Sequence, residues 1–117
     1  MLFNMIGCNS VLTSPNGLLE SPNFPGPYPN YYDCQWTVRV ASAFKIRLTF
    51  SHFDIETFDF VEVYAGASVS SSQLLLKHTG STVPEDVFSP SNEILVRFVT
   101  DGTGNFFSGW RATYTSF

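Results

Sequence analysis

Three carboxylates lie within one short, aromatic-rich stretch of the sequence, FDIETFDF at residues 53–60. Asp54, Glu56 and Asp59 are set there among large apolar side chains. Burying a carboxylate beside aromatic surface costs free energy unless another group pairs with it. Two interpretations follow: the acids are solvated residues of a turn at a strand end, or they are held together to bind a ligand.

Other residues whose side chains could bind a metal or act in catalysis are isolated in the sequence. His52 and His78 stand alone, which is more typical of surface or strand residues than of metal ligands. No G-x-S-x-G motif gives a serine the context of a nucleophile. The glycines of residues 102–104 precede a strand and not a helix, so they do not form a phosphate-binding loop. We therefore expect no enzymatic activity.

Size, composition and charge predict one small globular domain. The chain has 117 residues, of which 44% are hydrophobic and 14% charged, and this composition excludes disorder. The formal net charge is −4 with only six Lys and Arg, which argues against nucleic-acid binding. No apolar run reaches the roughly 20 residues that cross a bilayer, so we expect no direct membrane insertion.

The first seven residues, MLFNMIG, lack the basic start and the cleavage site of a signal peptide. We expect residues 1–7 to be added or linker residues, and residues 8–117 to form a single domain. An export signal and neighbouring domains of a parent chain would then lie outside this sequence.

The two cysteines, Cys8 and Cys34, are about 26 residues apart. A disulfide that closes such a loop would stabilise the fold by roughly 3–4 kcal/mol. It would also indicate an oxidising compartment, and hence a secreted protein or an ectodomain. The alternative is a pair of buried free thiols. A metal role is not expected, because neither a CxxC pair nor a histidine at zinc-finger spacing is present.

Alternation of apolar and polar residues with a period of two dominates the rest of the chain. Residues 14–30 hold five of the seven prolines, which predicts turns and an extended edge. No window shows a helical period, and turn-rich segments separate the alternating ones. We predict an all-β sandwich of antiparallel strands. The predicted strands are CQWTVRV (34–40), FKIRLTF (44–50), FVEVY (60–64), QLLLKH (73–78), EILVRFV (93–99) and GWRATYT (109–115).

The order of these segments resembles a CUB domain. The resemblance runs from Cys8 to the end, through GLLESPNFPGPYPNYYDCQW, FSHFDIE, FDFVEVYAG and TVPEDVFSPSNEILVRFVTDGTGNFFSGWRATY. It implies a jelly-roll-like, spermadhesin-like sandwich of two antiparallel sheets, and an extracellular module that binds other proteins. Most CUB domains carry a second disulfide, whereas here Thr79 stands where one of its cysteines would fall. This two-cysteine pattern is similar to that of the CUB domains in CUB-and-sushi multidomain proteins.

The resemblance also implies a calcium site at one end of the sandwich. Its carboxylates would be Glu56, Asp59 and Asp101, with carbonyl contacts from Thr103 and Gly104. Oxygen ligands of this kind are those that calcium takes in proteins. The alternative is that the acids are solvated turn residues.

Two departures from the family pattern bear on this site. The tyrosine of the family's SPNYP motif, whose hydroxyl supports the site, is Phe24 here. The spacing from Glu56 to Asp59 is also shorter than in calcium-binding relatives with the extra cysteine. The site is then either intact but weak, or vestigial.

We expect a non-catalytic recognition module whose calcium site docks a partner's Lys or Arg through Glu56, Asp59 and Asp101. Tyr28, in the polar loop, is a further predicted partner contact. Two alternatives remain open: a calcium-free structural spacer in a multidomain chain, and a carbohydrate-binding module that uses exposed aromatic rings.

Overall fold

The computed structural model describes residues 9–102 and 106–117. Within the described residues the regular elements are β-strands, apart from one short 3₁₀ turn at Ser71–Gln73. The strands are β1 (Ser10–Leu12), β2 (Asn16–Glu20), β3 (Asp33–Arg39), β4 (Ile46–Asp54), β5 (Phe60–Ala65), β6 (Leu74–His78), β7 (Val87–Phe88), β8 (Glu93–Val99) and β9 (Gly109–Ser116). No helix in this part of the chain has the length and apolar character that crossing a membrane requires.

The strands form two sheets, which confirms the predicted all-β fold. One sheet has the order β1-β3-β8-β5-β6 and the other the order β2-β9-β4-β7. All pairings are antiparallel except that of β1 with β3, which is parallel and departs from the prediction. The proline-rich stretch contributes β2, and this strand lies at a sheet edge, where its outer side needs no ladder partner.

The core lies between the sheets and is filled by the inward residues of alternating strands. Trp36 on β3 and Trp110 on β9 meet edge to face with ring centroids 5.3 Å apart, so both tryptophans occupy the core as expected. Phe50 and Phe98 also pack edge-on against Trp110. Such aromatic pairs add about 0.5–1.5 kcal/mol each beyond the burial of their area.

A bulge in β4 decides which residues of the acidic stretch face the core. The register with β9 shifts between Phe50 and His52, which places Phe50 and Phe53 on the same inward side although they are three residues apart. Phe53 and Ile55 are therefore buried, whereas Asp54 and Glu56 are only partly buried. The start of the predicted strand 44–50 was wrong, because Phe44 precedes β4 and is half exposed.

Strand β5 is buried on both faces, although its sequence predicts a half-buried strand. On its outer face Glu62 is covered and bonded to Arg97 of β8, with Nη1 and Oε1 3.3 Å apart. Arg97 also forms a two-pronged pair with Asp33 of β3. This ion pair neutralises a carboxylate that burial would otherwise penalise.

Cys34 is completely buried at the start of β3 and is not a free thiol. Its predicted partner Cys8 lies outside the described residues, so the pairing of the two cysteines stays a prediction.

Candidate metal centre

The structure brings together the three acids that the sequence selected. Glu56 follows β4, Asp59 immediately precedes β5, and Asp101 follows β8. Strands β5 and β8 pair with Phe60 opposite Val99, so the residues just beyond them meet at one end of the sandwich. One carboxylate oxygen from each acid lies within 4.8 Å of the others. We call these three residues the acidic cluster.

Asp59 is the buried centre of the acidic cluster, with no exposed surface. Its Oδ1 accepts a hydrogen bond from the backbone N–H of Asp101 at 2.8 Å. Its Oδ2 accepts one from the hydroxyl of Tyr28 at 2.5 Å. Burial raises the pKa of Asp59, and the charges of Asp101 and Glu56 raise it further, while the two hydrogen bonds oppose the shift.

Tyr28 is a structural part of the cluster, and its burial leaves almost no exposed surface for the predicted contact with a partner. Its ring is 1% exposed and packs edge-on against Phe98, with centroids 5.0 Å apart. Its hydroxyl donates to Asp59 and accepts from the backbone N–H of Glu56 at 2.9 Å. Burial, and the bond it donates to Asp59, raise the pKa of Tyr28.

The supporting hydroxyl therefore does not depend on position 24. Phe24 packs edge-on against His52 instead, with ring centroids 5.1 Å apart. The departure at Phe24 removes no hydrogen bond from the acidic cluster, because Tyr28 supplies the hydroxyl.

The short spacing from Glu56 to Asp59 forms a closed turn that carries both acids. The N–H of Asp59 donates to the carbonyl of Glu56 at 3.0 Å, and the N–H of Phe58 donates to Oε1 of Glu56 at 3.0 Å. The hydroxyl of Thr79 lies 3.1, 2.9 and 2.6 Å from the carbonyl oxygens of Glu56, Thr57 and Asp59. Its single proton is shared among them. Thr79, which stands where the family's cysteine would fall, thus anchors the turn through hydrogen bonds.

The loop that carries Asp101 is held by the loop before β3. The N–H of Tyr31 donates to the carbonyl of Asp101 at 2.9 Å, and the N–H of Thr100 donates to the carbonyl of Tyr32 at 2.8 Å. The Thr100 hydroxyl donates in turn to the carbonyl of Pro29 at 2.9 Å. Thr103 and Gly104 lie outside the described residues, so their carbonyl contacts stay a prediction.

Comparison with known proteins decides the family of this fold. The sequence pattern of the CUB domain matches residues 8–114. The chain belongs to the CUB domain family. CUB domains are non-catalytic modules that serve as extracellular interaction units in larger proteins.

Individual relatives agree with this assignment. An astacin-like metalloendopeptidase of Gallus gallus is 40% identical over 98% of the chain, and cubilin of Rattus norvegicus is 36% identical over 91%. The chain spans only 29% and 3% of these two proteins, so the match to the metalloendopeptidase is to part of that enzyme alone.

A solved structure described as the MASP-1 CUB2 domain bound to Ca²⁺ has a TM-score of 0.78 and 28% identity, covering 92% of this chain and 98% of that one. The full extracellular region of zebrafish Gpr126/Adgrg6 has a TM-score of 0.79 and 29% identity, covering 94% of this chain and 15% of that one. The two likenesses extend over nearly the whole of this CUB domain.

The arginines of this CUB domain pair with acids outside the acidic cluster. Each of the four arginines forms a salt bridge away from the acidic cluster: Arg39 with Glu93, Arg47 with Asp86, Arg97 with Asp33 and Glu62, and Arg111 with Glu20. Neither Glu56 nor Asp59 forms a salt bridge with a described Lys, Arg or His. A buried carboxylate beside other acids favours an added cation.

The fourth acid of the neighbourhood, Asp54, belongs to a separate network. Its Oδ2 accepts from the hydroxyl of Ser108 at 3.2 Å, and its Oδ1 accepts from that of Ser81 at 2.8 Å. Nε2 of His52 lies 2.8 Å from the Ser108 hydroxyl oxygen. The carboxylate contacts the serine and not the imidazole, which differs from a nucleophile-activating triad. No sequence motif reveals this network, because its members come from distant segments.

Proposed function

We propose that this CUB domain is an extracellular protein-recognition module that binds calcium at the acidic cluster and docks a partner's Lys or Arg there. One observation carries the proposal: oxygens of Glu56, Asp59 and Asp101 lie within 4.8 Å of one another around a fully buried carboxylate. The partners would be proteins that present a basic side chain, together with neighbouring domains of a parent chain.

The donor set fits calcium on chemical grounds. Calcium takes six to eight oxygen ligands, and three carboxylates supply the charged part of such a set. Carbonyls of Thr103 and Gly104 are proposed as further ligands. The hydrogen bonds from Tyr28 and from the Asp101 N–H orient the Asp59 carboxylate before any ion arrives. That a relative covering 92% of this chain is described as bound to Ca²⁺ supports the proposal.

Docking follows from the charge that remains once the ion is held. Three carboxylates around one divalent cation leave net negative charge and unused lone pairs. A partner's ammonium or guanidinium group forms charge-assisted hydrogen bonds with such acceptors. The ion also fixes the loops that carry the acids, which lowers the ordering cost of association.

The absence of the second disulfide leads us to place this domain among two-cysteine CUB domains similar to those of CUB-and-sushi proteins. The anchoring of the 56–59 turn by the Thr79 hydroxyl supports this placement, because the turn is held without a covalent link.

A calcium titration followed by thermal melting tests the proposal. A ligand that binds only the folded state stabilises it by RT ln(1 + [L]/Kd), which is about 2.7 kcal/mol at 100 times Kd. We expect the melting temperature to rise with calcium in the natural protein and in a Glu85→Gln control, since Glu85 is an exposed acid outside the cluster. The rise should be lost in Glu56→Gln.

Two other functions give different results in the same preparation. An absent shift at millimolar calcium, with Glu56→Gln unchanged from the natural protein, would favour the structural spacer. Glycan binding that is lost when an exposed aromatic residue is replaced would favour the carbohydrate-binding module.

A further inference from the structure

The turn that carries two of the acids also presents an aromatic ring to solvent. Phe58 lies between Glu56 and Asp59 and is 74% exposed. Its backbone is held by the Glu56 carboxylate and by the closed turn anchored on Thr79. Because the backbone is fixed, a protein whose cation reaches the acidic cluster brings its own surface close to this ring.

An open groove of about 470 Å³ lies beside Phe58. Its walls come from two segments, residues 57–60 before and at the start of β5, and residues 77–79 at the end of β6. We call this space the Phe58 groove. Aromatic rings of Phe58 and Phe60 line it, so an apolar side chain can be buried there.

One wall of the groove carries the positive charge of Lys77, which forms no salt bridge with a described carboxylate. The ammonium of Lys77 lies over the ring of Phe60, 4.3 Å from its centroid. Lys77 forms no salt bridge within the described part of the chain, although all four arginines do. The turn that carries Glu56 and Asp59 leads into β5, and Lys77 lies on β6, which pairs with β5. Negative and positive groups are thus presented by adjoining segments.

The geometry points to the Phe58 groove as the second half of the docking surface. It binds an aliphatic side chain and a carboxylate that flank, in a protein partner, the lysine held by the acidic cluster. This inference rests on the proposed cation docking. Opposite charges on the two halves select a segment of mixed charge, fix its direction and disfavour an all-basic segment.

The exposed ring is the anchor of the surface. Full burial of a phenylalanine side chain contributes enough free energy to change a dissociation constant roughly 10- to 100-fold. Rigid aromatic residues near the centre of an interface are the usual sites of such energy. Lys77 adds discrimination between acidic and basic flanking residues.

Blocked five-residue peptides are suitable probes. Each has lysine at the centre. The remaining positions are alanine in the reference peptide, whereas leucine and glutamate are placed in turn at every pair of positions in the test set. Binding to the calcium-loaded domain is followed by NMR chemical shifts of the Phe58 and Phe60 rings and of Lys77. We expect the best test peptide to bind roughly 10-fold or more tightly than the reference and to shift these signals.

Variants assign the gain to the groove. Phe58→Ala and Lys77→Glu should abolish the gain, which is the ratio of test-peptide to reference-peptide affinity measured within the same variant. Matched controls are Phe88→Ala and Lys45→Glu, an exposed phenylalanine and an exposed lysine that lie outside the groove. Both controls should retain the gain.

Failure of this inference is distinct from failure of the calcium-dependent docking. If the reference peptide does not bind with calcium present, cation docking itself falls and the groove inference falls with it. If the reference peptide binds but no test peptide gains, or the gain survives Phe58→Ala, the inference alone is overturned. Groove signals that respond to monosaccharides but not to test peptides, or to protein concentration alone, would overturn it in favour of a sugar or of a second copy of the chain.

Discussion

The hydroxyl of Tyr28 lies 2.5 Å from Oδ2 of Asp59, and both side chains are buried. The same hydroxyl accepts the backbone N–H of Glu56, so one atom connects the loop before β3 to two acids of the cluster. The phenol of Tyr28 thus links this loop to two of the three acids of the candidate metal centre. Its removal is the most direct test of how the cluster is built.

We expect Tyr28→Phe to lower both stability and calcium affinity. The substitution keeps the ring against Phe98 but removes the donor to Asp59 and the acceptor of the Glu56 N–H. A hydrogen bond to a charged group contributes about 1.5–3 kcal/mol, so the free energy of unfolding should fall by about that amount. Urea denaturation measures the stability, and calcium titration measures the affinity.

Tyr114→Phe is the matched control. Tyr114 is equally buried, and its hydroxyl donates to the carbonyl of Ser14 at 2.9 Å. Its loss should cost about 1 kcal/mol and leave calcium affinity unchanged. Equal effects of the two variants on calcium binding would contradict a specific role for Tyr28.

The raised pKa of Asp59 predicts a pH dependence of the ion-free protein. The folded-state pKa of Asp59 lies above the ordinary value of 3.8. At pH values between these two pKa values, the folded protein therefore holds a proton that the unfolded chain has released. Asp59 therefore favours folding more as pH falls from 7 through the folded-state pKa. It disfavours folding as pH rises through the same window.

Asp59→Asn isolates this contribution, because the amide is neutral at every pH. The amide has one acceptor oxygen for the two donors that Asp59 satisfies, so the prediction concerns the change with pH. In a chelator, the melting temperature of the natural protein relative to the variant should rise as pH falls from 7 towards 4. Calcium at pH 7 should raise the melting temperature of the natural protein more than that of the variant, since only the carboxylate binds the ion. A difference that is constant from pH 7 to 4 would show that Asp59 does not titrate in this range.

Thr79 offers a test of the turn that takes the place of the second disulfide. Thr79→Val keeps the shape of the side chain but removes its hydroxyl from the carbonyls of Glu56, Thr57 and Asp59. We expect a loss of about 1 kcal/mol in stability and weaker calcium binding, because the acids are no longer held at a fixed spacing. Thr79→Ser retains the hydroxyl and should behave as the natural protein in both measurements.

Alternation in the sequence predicts the long central strands well, and β8 in particular has the predicted bounds at 93–99. Each of these strands buries alternate residues in the core, so its period of two is strong. Strands β1 and β7 were not predicted, because two or three residues carry no period and form through pairing with distant partners. The bulge in β4 could not be predicted from the sequence either, because it depends on the register of β4 with the distant strand β9.

In the acidic cluster too, some residues could be predicted from the sequence and others could not. Its three acids could be selected from the sequence through the family resemblance, and the structure brings them together. The role of Tyr28 could not be selected, because the loop that carries it is rich in proline and glycine and shows no burial pattern. Its ring is buried only because Phe98, on a distant strand, lies against it.

The covered ion pair on the outer face of β5 leads to the last prediction. Arg97 is the cation for Glu62, which is 7% exposed, and hydrogen bonds to Asp33 chiefly raise the pKa of Arg97 above its ordinary value. Arg97→Met leaves the Glu62 carboxylate buried without its partner. The free energy of unfolding should fall by about 2–4 kcal/mol, as measured in urea.

The double variant Arg97→Met with Glu62→Met distinguishes two causes of the lost stability: loss of the Arg97–Glu62 ion pair, and burial of the Glu62 carboxylate without a cation. If burial of an uncompensated carboxylate is the main cost, the second substitution restores most of the lost stability, because two apolar side chains then pack on the outer face of β5. Arg39→Met breaks an exposed pair with Glu93 and should cost less than about 1 kcal/mol. A double variant less stable than Arg97→Met alone would show that the ion pair itself, and not relief from a stranded charge, supports this face of the sheet.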